Sequence, residues 1–359
     1  MQFLDAADTI KTNFLKELRS ASDGKTTSLR FIKHEPPSEK LISDGEIFQV
    51  LVVGGTVFRK ALLKKDREQF VILDDYSEEH PSLTSKEMLL EYLAKHLSPN
   101  VSKIAVNFAF PLKPFLRDGR ADGELLSATK AANTLNGLIG EPVGEAIEMH
   151  ILKRLDKEIT VSVLNDAICL LLSGIEDYSR DTIAGAIMGT GTNITFFHNE
   201  KAINVQSGGF DKFILSDEGK EVDKDSLMPG ASLFEKETAG GYLFKHFNFF
   251  INKHELTHKP ISSTKELQVI ALGNKDTETQ SLARSLLERS AAYFAGLIAG
   301  LTAFKNHDMT FIIEGSMYWE NDLYRKFVNE YLEGLSPDLK IKIIKVDNSP
   351  IVGAARLIA

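Results

Sequence analysis

Two stretches of this chain share one grammar, and together they narrow the fold more than any other feature. Residues 51–59 read LVVGGTVFR: an apolar strand, a glycine turn and a second strand. Residues 182–197 read TIAGAIMGTGTNITFF and repeat the pattern around Gly189-Thr190-Gly191. A Gly-Gly between strands is, alone, more often a hairpin turn than a ligand loop. Gly189-Thr190-Gly191-Thr192 would suggest a dinucleotide-binding loop only if a helix followed, and NITFF reads as a strand. As a pair they say more. Glycines let backbone N–H groups approach phosphate oxygens, and Thr56, Thr190 and Thr192 add hydroxyl donors. Two such turns, from two similar α/β lobes facing each other, would grip a nucleoside triphosphate.

The intervening pattern supports that architecture. After the first hairpin, FVILDD continues as a third strand, Ser85 to His96 reads as a helix, and KIAVNFAFP as a strand ended by Pro111. Ala128–Leu138 and Val143–Leu155 read as helices, and EITVSVL as another strand. Beyond the second hairpin come helices near 231–250 and 279–305, the strand MTFIIEG, a helix near 323–333, the strand KIKIIKV and a short terminal helix. Antiparallel strands followed by strand–helix alternation indicate a mixed α/β sheet. The first twenty residues carry Phe3, Leu4, Ile10, Phe14, Leu15 and Leu18 near helical spacing, an amphipathic helix that packs on the body.

Composition closes several functional classes. A single cysteine, Cys169, excludes an internal disulfide and a cysteine-based zinc cluster. The nine histidines show no ligand spacing, so no protein-held metal site is expected. A formal net charge of -8 argues against general nucleic-acid binding, which needs a basic face. No segment is apolar and long enough to span a bilayer, and the start is not a signal peptide. A cytoplasmic monomer or homodimer is the expectation.

Asn165-Asp166 stands between EITVSVL and the apolar run AICLLLSG. One reading is a helix N-cap. The other is a carboxylate aimed into a cleft, where it would take a proton from an attacking hydroxyl. Both can hold at once.

The order GGTxxR, FxFP, TK, ND, GTGTN, FEK, EGSxY and a terminal GAA resembles the hexokinase family, from about Gln49 to the end. The resemblance implies a two-lobed actin-like ATPase (ribonuclease H-like) fold, with mixed sheets flanked by helices and a cleft between the lobes. Residues 47–164 with 347–359 would form the small lobe, and 1–46 with 165–346 the large one. It implies ATP as phosphoryl donor, with Mg2+ held mainly through the nucleotide phosphates, and a hexose or related sugar as acceptor. Asp166 would be the general base toward the 6-hydroxyl. Thr129, Lys130, Asn165, Asn193, Gln206 and Glu235 would contact the sugar. Gly54, Gly55, Thr56 and Arg59 would form the first phosphate loop, and Gly189, Thr190, Gly191 and Thr192 the second. Gly315 and Ser316 would lie near the adenosine. The plainer alternatives are a solvated helix face for Thr129-Lys130, an exposed helix residue for Glu235 and a surface ion pair for Arg59.

The chain departs from the family pattern at informative places. Where the family reads D-L-G-G-T-N-F-R, this chain has Val52 for the aspartate and Val57 for the asparagine. A hard cation needs oxygen ligands, which valine lacks. Ala109 replaces the serine of F-S-F-P, Gln206 the glutamate of N-x-E-W-G, and Glu314 the aspartate before Gly-Ser. Three readings follow: an active sugar kinase, a sugar-binding sensor without useful catalysis, and a phosphotransferase acting on another small hydroxylated substrate.

Overall fold

The computed structural model describes residues 1–35, 40–128, 133–273 and 277–359. Thr129 and Lys130, expected at the sugar, lie outside the described residues. The chain begins with α1 (Leu4–Ser22), which turns Ala7, Ile10, Phe14 and Leu18 to one buried face. After β1 (Ile32–His34) come β2 (Ile47–Val53), β3 (Val57–Asp66) and β4 (Gln69–Glu79). Next are α2 (Lys86–Lys95), β5 (Lys103–Phe108), β6 (Leu112–Arg117), β7 (Arg120–Leu125), α3 (Val143–Leu155), β8 (Thr160–Asn165) and α4 (Asp166–Leu172). The second half continues with β9 (Ile183–Met188), β10 (Thr192–His198), β11 (Lys201–Asn204), α5 (Asp217–Lys224), α6 (Leu233–Thr238), α7 (Leu243–Lys253) and α8 (Thr264–Ala271). It ends with α9 (Glu278–Lys305), β12 (Met309–Glu314), α10 (Ser316–Trp319), α11 (Asp322–Leu335), β13 (Ile341–Ile344) and α12 (Ser349–Ala355).

The chain divides into two compact units. The first comprises Met1–Phe31, Asp181–Thr195 and Asn204–Lys345; the second comprises Ile32–Arg180, Phe196–Ile203 and Val346–Ala359.

In the second unit the sheet runs β4-β3-β2-β5-β8. The β2–β3–β4 meander is antiparallel, while β2, β5 and β8 are parallel. Leu51, Val53, Val106, Phe108, Val163 and Ile147 are among the core residues on this sheet and its helices. Helix α12 packs against α4 so closely that a Cβ on Gly353 would lie 1.7 Å from the Cys169 carbonyl oxygen. Cys169 is fully buried, the small core residue its setting suggests.

In the first unit β9, β12 and β13 run parallel. Helix α9 lies along α1, with glycines at the contact. A Cβ on Gly296 would stand 2.8 Å from the Ala7 carbonyl oxygen, and one on Gly300 3.0 Å from that of Lys11. The amphipathic first helix thus packs on the body of its own unit.

Three local expectations need correction. The described part of 128–138 is not helical: Leu83 and Asn136 belong to paired extended segments, with Ser85 bridging Asn136. The expected helix over 231–250 is two helices, α6 and α7, because Gly240 and Gly241 turn their amides to the Gly189 and Thr190 carbonyls. The hairpin β6–β7 was not anticipated; its pairing is set by Asp118-Gly119 at positive φ, 51° and 75°.

Candidate functional site

In the second unit, three adjacent parallel strands end level with one another. Val53 pairs with Phe108, and Phe108 with Asn165. The residues that follow are Gly54, Ala109 and Asp166, so all three stand at the carboxyl edge of one sheet. That is where ligands bind in parallel α/β sheets. Two strand spacings of roughly 4.8 Å put the glycine turn and the Asp166 carboxylate within reach of one small molecule.

Asn165 is both a cap and a fixed fixture. Its Oδ1 accepts the Ala167 N–H at 3.2 Å, and its Nδ2 donates to the Phe110 carbonyl at 3.2 Å. Asp166 opens α4 and its Oδ1 accepts the Ala167 N–H at 2.9 Å. The carboxylate is half-buried, anchored at one oxygen and positioned by a helix rather than a loop.

The turn at Gly54 is oriented by two residues the sequence did not single out. His80 Nε2 meets the Gly54 carbonyl at 3.0 Å, and Asn133 Nδ2 donates to the Gly55 carbonyl at 2.6 Å. A trans peptide points its N–H opposite to its C=O. With those carbonyls drawn to His80 and Asn133, the amides of Gly55 and Thr56 face the other way, as an anion cradle requires. Gly54 itself closes the hairpin, and a Cβ there would meet the Val57 carbonyl oxygen at 2.6 Å. Arg59, by contrast, is taken up by Asp75 and Asn348.

The first unit builds a second glycine turn by the same logic. Gly240 N–H donates to the Gly189 carbonyl at 2.8 Å and Gly241 N–H to the Thr190 carbonyl at 3.1 Å. The amides of Thr190 and Gly191 therefore point away from Gly240 and Gly241. Glu235 stands behind the turn, its Oε2 accepting the Thr192 N–H at 3.2 Å. A Cβ at 191 would lie 2.6 Å from that oxygen, so a larger residue there would displace the Glu235 carboxylate. Gly315 follows β12 beside the end of β9, at φ +129°, with room for a Cβ only 2.0 Å from the Met188 carbonyl oxygen.

A cleft of about 120 Å³ opens beside this turn, lined among others by Gly189, Thr190, Ser316, Lys265, Gln268 and Glu320. Lys265 brings a cation to the rim of this cleft, and the Thr192 hydroxyl, just past the turn and outside the cleft's lining, is buried without a partner. The α8 residues Thr264, Lys265 and Gln268 were missed. Their signal was the capping pattern Ser263-x-x-Glu266, in which Ser263 Oγ accepts the Glu266 N–H at 3.3 Å. Ser263 thereby starts a helix whose first turn borders the cleft.

Asn193 and Gln206 are bound into the backbone nearby. Asn193 Nδ2 donates to Asn204 Oδ1 at 2.8 Å, and its own Oδ1 accepts the Ile194 N–H at 2.8 Å. Gln206 sits at φ 55°, a left-handed conformation held by its N–H to Asn204 Oδ1 at 3.1 Å. Among the described residues no three His, Cys, Asp or Glu side chains converge to hold a metal ion. Trp319 donates to the Ile313 carbonyl at 2.7 Å, a packing role.

The family model described as Hexokinase matches residues 252–359. Hexokinase-1 of Spinacia oleracea is 28% identical over 233 residues, 55% of this chain and 46% of that protein. The chain thus spans about half the length of the curated relatives it matches. A hexokinase from Schistosoma mansoni complexed with glucose aligns with a TM-score of 0.83 at 17% identity, over 99% of this chain and 95% of that one. A ROK family glucokinase from Streptomyces griseus in complex with glucose and AMPPNP aligns at 0.57 and 16% identity, over 87% and 99%. The fold is the actin-like ATPase fold of these sugar kinases.

Proposed function

Starting from a chain that is a divergent relative of the hexokinases, we propose that it is an ATP-dependent sugar kinase that phosphorylates the 6-hydroxyl of a hexose. The observation that carries this reading is the level ending of β2, β5 and β8, which gives the Gly54 turn and Asp166 one common edge.

ATP supplies the γ-phosphoryl group. Asp166 takes the hydroxyl proton as the sugar oxygen forms its bond to phosphorus and the bond to the ADP oxygen breaks. The Ala167 N–H anchors one Asp166 oxygen and so holds the carboxylate at the start of α4, where it receives that proton. Asn165, locked between two backbone groups, holds the start of α4 in place. The amides of Gly55 and Thr56, and those of Thr190 and Gly191, receive phosphate oxygens. The Thr192 hydroxyl and Lys265 complete the nucleotide contacts, with Gly315 and Ser316 by the adenosine. Glu235, Gln206, Asn193, Thr129 and Lys130 supply the sugar contacts. Mg2+ would bind through phosphate oxygens, because Val52 offers no ligand.

The test is ADP release with ATP, magnesium and a panel of hexoses, run beside Asp166→Ala. Sugar-dependent release that drops about a hundredfold or more in the variant supports the reading. No release from the unaltered chain, with sugar binding seen by calorimetry, would replace it with a binding protein.

A further inference from the structure

Helix α6 is six residues long and carries three consecutive charges, Glu235, Lys236 and Glu237. So short a helix is not stable on its own, and its orientation is set by what holds its sides. Glu235 faces the second glycine turn, where its Oε2 accepts the Thr192 N–H at 3.2 Å. The other two charges point into the unit: Lys236 is 3% exposed and Glu237 0%. Charges buried that deeply need partners. Lys236 Nζ donates to the Met228 carbonyl at 2.7 Å and to Asp223 Oδ1 at 2.5 Å. Glu237 has Ser216, whose hydroxyl donates to Oε2 at 3.0 Å, and Arg289, whose Nε lies 3.2 Å from Oε1. The contact with Arg289 Nε is one of charge, without the alignment of a hydrogen bond.

From α9, the Arg289 guanidinium reaches three helices at once. Nη1 lies 3.4 Å from Glu218 Oε2 on α5, Nε lies 3.2 Å from Glu237 Oε1 on α6, and Nη2 lies 3.3 Å from His246 Nδ1 on α7. With the guanidinium donating to Nδ1, the imidazole proton sits on Nε2, which donates to the Lys236 carbonyl at 2.8 Å. Arg289 therefore holds α6 by two routes. One runs through the Glu237 side chain, the other through His246 to the backbone of the residue next to Glu235.

We infer that Arg289 is a positioning residue for Glu235: its fork fixes the rotation of α6 that aims the Glu235 carboxylate at the second glycine turn. Successive residues of a helix diverge by about 100°, so a roll of α6 that releases Glu237 also swings Glu235 away from Thr192. Lysine at 289 would keep a cation but not the fork, and one ammonium cannot replace the planar set of donors that meets Glu237 and His246 together. The role of Glu235 at the sugar rests on the kinase reading; the hold of Arg289 on Glu235 does not.

The Thr192 amide signal in ¹H–¹⁵N spectra of the full chain reads the position of Glu235 without any ligand, and Glu235→Ala marks that signal when its acceptor is gone. Arg289→Lys should move it most of the way to that mark. His246→Gln, whose carboxamide accepts from Arg289 and donates to the Lys236 carbonyl, should keep it near the native position, and His246→Phe should not. By calorimetry, Arg289→Lys should weaken glucose about tenfold, the scale of one hydrogen bond to a charged group, and leave ADP within about twofold. A native Thr192 signal in folded Arg289→Lys would overturn the assignment. An equal loss of glucose and ADP affinity would overturn it too, by making Arg289 a support of the whole unit. If Arg289→Lys does not fold, the two His246 variants decide, and identical Thr192 signals in them would overturn the inference. Failure of the unaltered chain to bind any hexose, with Thr192 still responding to Arg289→Lys, would remove the sugar role of Glu235 and still support its positioning by Arg289.

Discussion

Asp75 holds Arg59 by two contacts: Arg59 Nε donates to Oδ1 at 2.8 Å, and Nη2 meets Oδ2. The same Nη2 also donates to Asn348 Oδ1 at 2.6 Å. The arginine that the family pattern assigns to phosphate is thus already bound within its own unit. Asp75→Asn should loosen it. If Arg59 does reach nucleotide, the KM for ATP should fall about threefold with kcat little changed. An unchanged or raised KM would leave Arg59 as a structural pair. The Asp75 carboxyl is held below the ordinary carboxylate range, first by its hydrogen bond to Arg59 and then by the guanidinium charge. Its stabilisation is present above the unfolded pKa and is lost as pH falls through the folded one. For so exposed a pair the effect is at most about 1 kcal/mol.

Acid should destabilise the fold well above the range where carboxylates titrate. His34 and His246 both have pKa values lowered from 6.5 to about 4, chiefly by burial. His246 shows why in detail. Its Nε2 donates to the Lys236 carbonyl at 2.8 Å, leaving the Nδ1 lone pair facing Arg289 Nη2 at 3.3 Å. A second proton would point at a guanidinium. Because the folded pKa lies below the unfolded one, the stabilisation is full above pH 6.5 and is lost as pH falls toward 4. Each histidine contributes at most about 3 kcal/mol by this linkage. Urea midpoints measured from pH 7 to pH 4 should decline, and His34→Phe should flatten the curve. A curve unaltered in that variant would remove His34 from the account.

Gly315 and Gly230 both have positive φ, 129° and 81°, yet their substitution by alanine should differ sharply. At Gly230 nothing lies within 4 Å of a Cβ, so only backbone strain of about 1 kcal/mol applies. At Gly315 the Cβ would overlap the Met188 carbonyl oxygen at 2.0 Å, adding overpacking of about 1–3 kcal/mol and shifting β12 against β9. Thermal melts of the two variants should show the larger loss at 315. Equal losses would mean that the β9–β12 edge yields easily.

Much of this was legible from local pattern. The strands around both glycine turns, the long helix α9 and the cap at Asn165 all follow from apolar periodicity and turn chemistry. What escaped depends on contacts distant in sequence. Gly240-Gly241 reads as a weak spot in a helix, but it is a break because its amides satisfy Gly189 and Thr190, some fifty residues earlier. His80 and Asn133 look like ordinary loop residues, and their role appears only where they take the Gly54 and Gly55 carbonyls. The expected helix at 128–138 failed for the same reason: Leu83 and Thr84 pair with 134–136, and that pairing overrides local propensity. Lys65 and His34 each look like a solvated residue until the fold buries them.

Val52 is the departure whose repair is most informative. It is half-buried near the end of β2, directly across from Arg59 on β3 and beside Asn107 on β5. An aspartate there would point to the same face as Arg59, about 5 Å away and within pairing range of it. Arg59, however, is already held by Asp75 and Asn348, so the new carboxylate is left for the hydration shell of a divalent ion. Val52→Asp should therefore raise kcat several-fold and lower the magnesium concentration needed for half-maximal activity. Arg59→Lys in the same background separates the two fates of the carboxylate, since lysine lacks the fork that engages Asp75. A gain in Val52→Asp that disappears in the double variant would assign it to a rearranged arginine. A fall in activity in Val52→Asp alone would show that this strand end has adapted around valine.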